Sequence, residues 1–188
     1  ATTSFVQPAL LACDIAAYCV LRAEGLADVV GVAGHSLGEF AALVAAESIE
    51  LADALELVVV RGEAMQRASA ERPGAMLALL GVGPADAEAL CAEVRDDGEL
   101  VVANRNSPAQ SVASGDLTAI ARLEALAKER RIRAVRLSVA GAFHSALMEQ
   151  AVGPVLDVLA RIEVRDPVVP VAENVTGELV RDASRLRD

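Results

Sequence analysis

Apolar residues recur with helical spacing in several long stretches of this chain. The clearest case is residues 51–70, where Leu51, Val58 and Met65 fall on one face of a helix. Shorter runs rich in valine and bounded by glycine, such as DVVGVAG at residues 28–34, are typical of buried parallel strands. The pattern predicts helices over 7–24, 39–48, 51–70, 83–96, 116–131 and 145–162, strands over 28–34, 75–82, 132–140 and 168–177, and two short strands within 99–115.

The order of these elements changes along the chain. Between residues 75 and 140 the predicted elements follow the order βαββαβ, which fits a ferredoxin-like unit. We interpret this unit as an insert in a larger α/β layer. The sequence therefore predicts a large α/β subdomain formed by residues 1–73 and 139–188, and a small ferredoxin-like subdomain formed by residues 74–138.

Composition narrows the range of functions. The 188 residues are 54% hydrophobic and 2% aromatic and carry a formal net charge of −10, which argues against a nucleic-acid surface. Charged residues interrupt the apolar runs before any reaches membrane-spanning length, and the first residues lack the basic region of a signal peptide. Cys13, Cys19 and Cys91 fit neither a zinc nor a redox spacing. We therefore expect a cytoplasmic protein that binds no metal, membrane or nucleic acid, and no feature predicts its oligomeric state.

Residues 34–38 read GHSLG and stand between a predicted strand and a predicted helix, which is the context of the G-x-S-x-G nucleophile elbow. In such a sharp turn, Gly34 and Gly38 are predicted to remove Cβ atoms where the strand and the helix crowd together. The N–H of Leu37, at the start of the helix, is predicted to be free to stabilise an oxyanion. A glycine-rich turn without a catalytic role is the alternative interpretation.

The Ser36 hydroxyl needs a base to act as a nucleophile, and the chain has two histidines. His35 is next to Ser36, and on a tight turn its ring is expected to point away from the hydroxyl. His144 follows a predicted strand at the point where the chain returns to the large subdomain, and we favour it as the base. A histidine with a purely structural role is the alternative.

Arg61 lies on the apolar face of the helix predicted over 51–70. A buried guanidinium is costly unless a carboxylate or several carbonyl groups meet it, so either an internal acid pairs with Arg61 or the missing anion belongs to the substrate. Arginine binds a carboxylate through two parallel hydrogen bonds. A serine nucleophile together with such a clamp predicts transfer of an acyl group that carries its own acid.

Five blocks of the sequence, QPALLA, GHSLGEFAAL, RGEAMQ, NSPAQSVASG and GAFHSALM, occur between Gln7 and Met148. In order and approximate spacing they resemble malonyl-CoA:acyl carrier protein transacylases and the acyltransferase domains of polyketide and fatty-acid synthases. The resemblance implies an α/β-hydrolase-like large subdomain with an inserted ferredoxin-like (βαββαβ) small subdomain. It also implies an enzyme of fatty-acid or polyketide biosynthesis that uses malonyl-CoA and an acyl carrier protein as substrates and needs no cofactor.

The same resemblance implies a ping-pong reaction through a malonyl-serine intermediate. Ser36 attacks the thioester of malonyl-CoA with help from His144, and the phosphopantetheine thiol of the carrier protein then takes the malonyl group. Leu37 supplies an oxyanion N–H, and Arg61 holds the malonyl carboxylate.

The substrate-binding residues implied by the resemblance include four more positions, which are Gln7, His35, Asn106 and Phe143. The bulk of Phe143 leaves little room for an α-methyl branch and therefore favours malonyl over methylmalonyl. Discrimination by one methyl group is typically worth about 1–3 kcal/mol.

Two motifs of the resembled family are not found in this sequence. One is an opening strand with a GQGSQ-like loop that donates a second oxyanion N–H, and the other is a glutamine-bearing segment near the C-terminus. We therefore expect that the family's N- and C-terminal segments are missing from these 188 residues. Two other functions are kept as alternatives: a serine hydrolase of the esterase or lipase kind, which shares the elbow, and an inactive domain that docks a carrier protein.

Overall fold

A computed structural model of the protein describes residues 2–25 and 28–187 and has an α/β fold with mixed helices and sheets, which confirms the predicted α/β class. The chain divides into two compact units, one formed by Ala1–Glu63 with Pro154–Asp188 and the other by Ala64–Gly153. In chain order the elements are α1 (Thr3–Ala23), β1 (Val32–Ala33), α2 (Gly38–Ala45), α3 (Leu51–Glu71), β2 (Gly74–Leu80), α4 (Pro84–Val94), β3 (Leu100–Ser107), β4 (Gln110–Asp116), α5 (Leu117–Glu129), β5 (Arg133–Arg136), a 3₁₀ helix (Ala146–Ala151), α6 (Val152–Leu159), β6 (Val171–Ala172), β7 (Leu179–Val180) and α7 (Ala183–Arg187).

The first unit contains a three-stranded sheet in the order β1–β6–β7. β1 runs parallel to β6, with Val32 opposite Val171, and β7 pairs antiparallel with β6. Its core includes Leu11 from α1, Leu57 from α3 and Val158 from α6, all of which are buried. Because β1 and β6 are parallel, their carboxyl ends lie at the same edge of the sheet, and the loops that follow them meet there.

The strands of the first unit are shorter than the sequence predicts. The strands predicted over 28–34 and 168–177 are reduced to Val32–Ala33 and Val171–Ala172. A strand is defined by hydrogen bonds to its neighbours, and within the described residues β1 pairs on one side only. Val30, two residues before β1, is accordingly 87% exposed.

The single helix predicted over 145–162 is wrong, because the chain forms two elements there. Residues Ala146–Ala151 form a 3₁₀ helix, and α6 begins at Val152. Pro154 explains the change, since proline has no N–H to donate to the carbonyl four residues earlier and its ring would clash with that carbonyl. Proline is tolerated in the first turn of a helix, which is where Pro154 lies in α6.

The second unit is built around a four-stranded antiparallel sheet in the order β3–β4–β2–β5. Strand β2 is buried on both faces: Leu77 and Leu79 pack against residues of α4 and α5, whereas Met76 and Ala78 belong to a second apolar cluster. Burial on two faces explains why AMLALL is apolar throughout instead of alternating. The small subdomain predicted over 74–138 lies within the boundaries of this unit.

Helix α1 is long and apolar. It has 21 residues, and its most apolar window has a mean hydropathy of 1.6 with 11% of the window buried. Asp14 and Arg22 are its only charged side chains. By length and composition alone α1 could cross a membrane, so the prediction that no stretch reaches that size is wrong. Mostly buried core helices and N-terminal signal sequences pass the same test. In this structure α1 is largely exposed and places Leu11 in the core of the first unit.

Candidate active site

Ser36 lies in the turn between β1 and α2, and its backbone φ is +51°, in the left-handed region that residues other than glycine rarely adopt. The turn is tight enough to require glycine at one position. A Cβ added to Gly34 would lie 1.9 Å from the carbonyl carbon of Gly38 and 2.3 Å from the nitrogen of Glu39. No side chain fits there, so the chain makes the sharp strand-to-helix turn that the motif requires.

Gly38 has a different role from the one predicted. A Cβ added to Gly38 meets no atom within 4 Å in the described part of the chain. The prediction that both glycines relieve crowding is therefore correct for Gly34 and wrong for Gly38. A side chain at position 34 would strike the backbone of Gly38, whereas a side chain at position 38 would point into open space.

Replacing Gly34 by alanine is expected to lower the free energy of unfolding by about 3 kcal/mol, because the backbone of α2 would have to move away from the new Cβ. Gly38→Ala, at the first residue of α2, is the matched control, and we expect it to stabilise the protein by about 0.5–1 kcal/mol. Urea denaturation followed by circular dichroism measures both variants. Equal stability of the two would contradict the steric role of Gly34.

The guanidinium of Arg61, on α3, lies beside the Ser36 hydroxyl. Nη2 donates to Ser36 Oγ at 3.0 Å, and Nη1 donates to Gln7 Oε1 at 2.6 Å. The Arg61 Cζ lies 5.9 Å from the centre of the Phe40 ring, which is within the range of a cation–π contact. These four side chains belong to the first unit.

A close approach of α1 and α3 brings Gln7 to Arg61. A Cβ added to Gly62, the residue after Arg61, would lie 3.0 Å from Ser4 Cα and 3.1 Å from the Thr3 carbonyl oxygen, so the two helix backbones almost touch at this point. Gln7 follows one turn further along α1 and is buried. The small residue beside Arg61 therefore allows the amide of Gln7 to reach the guanidinium.

The charge of Arg61 has no acid in contact with it among the residues that the structure describes. Its hydrogen-bond partners there, Gln7 and Ser36, are both neutral. Burial lowers the pKa of Arg61, and the negative charge of Glu39 acts in the opposite direction without a salt bridge. Arginine titrates far above neutral pH and stays charged. The internal salt bridge considered in the sequence analysis is therefore not formed within the described residues.

Asn174, which the sequence analysis did not identify, lies in the loop after β6 and contacts the Ser36 turn. Its Oδ1 accepts the Ser36 N–H at 2.7 Å, and its Nδ2 donates to the Gly34 carbonyl at 2.8 Å. Nδ2 also donates to Glu39 Oε2 at 2.7 Å, and the Asn174 backbone N–H donates to Glu39 Oε1 at 3.1 Å. A partial signal was available, because polar residues near the carboxyl ends of neighbouring parallel strands meet at one edge of a sheet, and Asn174 lies in the later part of the strand predicted over 168–177.

Glu39 links Asn174 to the first turn of α2. It is partly buried, and burial raises the pKa of its carboxyl group, whereas the hydrogen bonds from Asn174 act in the opposite direction. The ionised carboxylate is the stronger acceptor for both N–H groups of Asn174. Its position in the first turn of α2 is also favourable for a negative charge, because the helix dipole is positive there.

The Leu37 N–H stands at the start of α2 and makes no hydrogen bond within residues 2–25 and 28–187. The next N–H groups, beginning with that of Gly38, donate to carbonyl oxygens of the turn. His35 is exposed and lines a cavity of about 620 Å³ in the first unit, together with Asp14 and Tyr18 of α1. Within the described residues, the turn therefore presents the Leu37 N–H as an unpaired backbone donor directly after Ser36.

His144 belongs to the second unit and is exposed. Its φ is +59°, so both residues predicted as catalytic are non-glycine residues in the left-handed region. Ser145 fixes the loop around it, because the Ser145 hydroxyl donates to the Ala142 carbonyl at 2.6 Å and accepts the Leu147 N–H. Backbone strain of this kind clusters at functional sites.

Two more predicted pocket residues lie in the second unit. Phe143 is partly buried against an apolar cluster that includes Met148. Asn106 is exposed near the end of β3, where its Nδ2 donates to Gln110 Oε1 at 3.1 Å. Within the described residues, no group of three or more His, Cys, Asp or Glu side chains is arranged to hold a metal ion.

Within the first unit the structure brings together Ser36, Leu37, Arg61 and Gln7. A strained serine after a parallel strand is followed by the Leu37 N–H, which is unpaired within the described residues, and is contacted by a partly buried arginine. This arrangement places the chain in the class of α/β proteins with a serine elbow. Comparison with known families identifies the class further. Residues 1–185 match the acyl transferase domain family, and the chain belongs to that family. The resemblance given by the sequence blocks is confirmed.

Individual relatives agree with the family. The chain is 40% identical over 184 residues to the malonyl CoA-acyl carrier protein transacylase of Escherichia coli K12. The matched region covers 94% of this chain and 60% of that protein. The crystal structure of FabD from Acinetobacter baumannii has a TM-score of 0.92 at 37% identity and covers 99% of this chain and 60% of that chain. A malonyl-transacylase in complex with its type II polyketide synthase acyl-carrier protein has a TM-score of 0.92 at 36% identity, with the same two coverages. The chain therefore spans about 60% of the length of these relatives.

Proposed function

We propose that this chain forms the serine-bearing part of a malonyl-CoA:acyl carrier protein transacylase, an acyltransferase of fatty-acid or polyketide biosynthesis. One observation carries the proposal: Arg61 Nη2 lies 3.0 Å from Ser36 Oγ, and the other hydrogen-bond partner of the guanidinium is the neutral Gln7. A partly buried cation with no acid in contact among the described residues is complementary to an acyl group that has its own carboxylate. The names of the relatives, which are malonyl transacylases, support the same assignment.

The proposed arrangement of subdomains follows from the same resemblance. Residues 1–73 and 139–188 form an α/β-hydrolase-like large subdomain, and residues 74–138 form a ferredoxin-like insert. The strand order β3–β4–β2–β5 and the element order βαββαβ support the insert. The serine turn directly after the parallel strand β1 supports the large subdomain.

In the first half-reaction, the Ser36 hydroxyl attacks the thioester carbonyl of malonyl-CoA while His144 takes the hydroxyl proton. As the bond from Oγ to the carbonyl carbon forms, the carbonyl oxygen gains negative charge, which the Leu37 N–H stabilises. The carbon–sulfur bond then breaks, and the CoA thiolate leaves with the proton from His144. The product is a malonyl ester of Ser36 whose free carboxylate is held by the guanidinium of Arg61.

In the second half-reaction, the phosphopantetheine thiol of the carrier protein gives its proton to His144 and its sulfur attacks the ester carbonyl. A new carbon–sulfur bond forms, the bond to Oγ breaks, and Ser36 recovers a proton from His144. One thioester is exchanged for another, so the reaction needs no cofactor beyond the two substrates.

The other pocket residues orient the acyl group. Gln7 fixes the guanidinium of Arg61 by accepting the Nη1 hydrogen. We place His35, Asn106 and Phe143 in contact with the substrate, and the ring of Phe143 opposes the α-methyl branch of methylmalonyl-CoA. A single methyl group gives a preference of about 1–3 kcal/mol.

Intact-mass spectrometry tests this function. We expect malonyl-CoA to add one malonyl group to the protein, at Ser36. Acetyl-CoA, which lacks the free carboxylate, should react more slowly by about tenfold or more, because hydrogen bonds to charged groups contribute about 1.5–3 kcal/mol. A phosphopantetheinylated carrier protein, added afterwards, should remove the adduct and become acylated.

The same experiment separates the two alternatives, which the named relatives do not favour. Rapid hydrolysis of neutral esters without a carrier protein would indicate a serine hydrolase. Absence of an adduct from every acyl-CoA would indicate a docking domain without activity. The cytoplasmic location and the absence of nucleic-acid binding stay predictions.

A further inference from the structure

Ser36 is held in a backbone conformation that a serine does not favour by itself. Its φ of +51° brings Cβ close to the backbone, which is why residues other than glycine avoid this region. Such a conformation persists only where surrounding groups fix it. The side chain of Asn174 contacts both sides of the turn, although Asn174 is 138 residues away from Ser36 in the sequence.

The carboxamide of Asn174 bridges the turn. It accepts the N–H of Ser36 at 2.7 Å and donates to the carbonyl of Gly34, two residues earlier, at 2.8 Å. The orientation of the carboxamide follows from its partners, because a backbone N–H only donates, whereas a carbonyl and a carboxylate only accept. Oδ1 must therefore face Ser36, and Nδ2 must face Gly34 and Glu39. A rotation of the amide by half a turn would break all three hydrogen bonds.

Glu39 fixes Asn174 from the other side. One carboxylate oxygen accepts from Nδ2 at 2.7 Å and the other accepts from the Asn174 backbone N–H at 3.1 Å. Glu39 lies three residues after Ser36, in the first turn of α2. The hydrogen bonds therefore form a closed ring that runs from the turn to Asn174, on to Glu39 and back through the start of α2.

The ring also decides which backbone N–H is left for the reaction. Asn174 occupies the N–H of Ser36, and within the described residues the N–H of Leu37 has no acceptor. The Ser36 hydroxyl is meanwhile held 3.0 Å from Arg61 Nη2. Loss of the bridge would change the direction of the hydroxyl and of the oxyanion donor together.

We propose that Asn174, oriented by Glu39, is a positioning residue that holds Ser36 in its reactive conformation. The inference rests on the proposed function in that Ser36 is taken as the nucleophile. Asn174 touches neither the acyl group nor CoA in this assignment, so its removal should slow the chemical step at Ser36 and leave substrate affinity nearly unchanged.

Asn174→Asp is the sharpest variant, because it keeps the shape of the side chain and replaces the donor Nδ2 by an oxygen that faces the Gly34 carbonyl and the Glu39 carboxylate. We expect the rate at which a fluorophosphonate modifies Ser36 to fall about 10- to 100-fold, as for a misplacement of the reacting group by about 1 Å. The maximal rate of malonyl-serine formation should fall by a similar factor, with KM for malonyl-CoA changed by less than about threefold.

A second substitution provides rescue. Glu39→Gln combined with Asn174→Asp offers an amide donor to the new carboxylate and keeps an oxygen acceptor for the backbone N–H of residue 174. We expect the fluorophosphonate to modify Ser36 at least about fivefold faster in the double variant than in Asn174→Asp alone, because neighbouring sites in one hydrogen-bond network are coupled. Asn174→Ala removes the bridge without adding charge, and it should show the same loss of rate if the aspartate variant fails to fold.

Thr176→Ala is the matched control in the same loop. The Thr176 hydroxyl donates to Glu173 and accepts the Glu178 N–H, and among the described residues it makes no hydrogen bond to the Ser36 turn. The fluorophosphonate rate should therefore stay within about twofold of that of the original protein.

Three outcomes decide the inference. A folded Asn174 variant that reacts at the original rate would overturn it, even if its melting temperature is lower, because the role would then be structural only. A double variant no faster than Asn174→Asp would overturn the part assigned to Glu39. If malonyl-CoA leaves every form of the protein unmodified and the fluorophosphonate rates still follow the expected order, the proposed function fails and the positioning role of Asn174 stands.

Discussion

Replacing Ser36 by alanine is expected to abolish the malonyl adduct and to reduce transfer to a carrier protein by about 10⁴-fold or more, because the covalent route is lost with the hydroxyl. The elbow should keep its shape in this variant, since Asn174 binds the backbone N–H of residue 36 and not its side chain. Intact mass after incubation with malonyl-CoA measures the first step. The rate at which a carrier protein gains mass measures the whole reaction.

Ser184→Ala is the matched control for this loss. Ser184 lies in α7, and its hydroxyl donates to Asp182 at 2.6 Å. We expect transfer within about twofold of the original rate, as for a surface substitution away from a site. A malonyl adduct that forms on Ser36→Ala at an undiminished rate would show that another residue is the nucleophile.

The local part of the candidate site could be predicted from the sequence. The turn at residues 34–38 is contiguous, and its requirements, a glycine before the serine and a helix after it, appear in five consecutive letters. The structure adds that, of the two glycines in this turn, Gly34 is the one required by sterics, since a Cβ there would strike the backbone and a Cβ at Gly38 would not. Which of two glycines faces the crowded side depends on the path of the chain and not on the residue type.

The long-range part could not be predicted in the same way. Glu39 falls inside the quoted block GHSLGEFAAL, but its contacts depend on Asn174, which is 135 residues away from it in sequence. Only the parallel pairing of β1 with β6 brings the loops after these strands to one edge of the sheet. That pairing also sets the length of the strands, which the valine-rich runs overestimate.

The break near Pro154 is a different kind of error. The apolar residues of 145–162 recur with helical spacing on both sides of the proline, and the prediction of one helix rests on that spacing alone. The structure shows that the proline decides the outcome, since the chain before it forms a 3₁₀ helix. Periodicity reports which side chains face the core, whereas backbone hydrogen bonds decide where a helix begins.

Arg61→Ala is expected to lower kcat/KM for malonyl-CoA by about 10²- to 10³-fold, because the malonyl carboxylate would lose a partly buried cation and its hydrogen bonds. Acetyl-CoA has no such carboxylate, so its slower reaction should change far less, and the preference between the two substrates should largely disappear. Steady-state rates with both acyl-CoAs measure this preference. Arg67→Ala, at an exposed position on the same helix, is the matched control and should keep the preference for malonyl-CoA over acetyl-CoA.

Gln7→Glu tests the same argument without removing the guanidinium. The amide oxygen of Gln7 lies 2.6 Å from Arg61 Nη1, so a carboxylate there would form the internal salt bridge that the described residues do not contain. The new acid would compete with the malonyl carboxylate and repel it, and we expect kcat/KM for malonyl-CoA to fall by about tenfold or more while that for acetyl-CoA changes little. Unchanged malonyl preference in both Arg61→Ala and Gln7→Glu would mean that the positive charge beside Ser36 does not select the substrate.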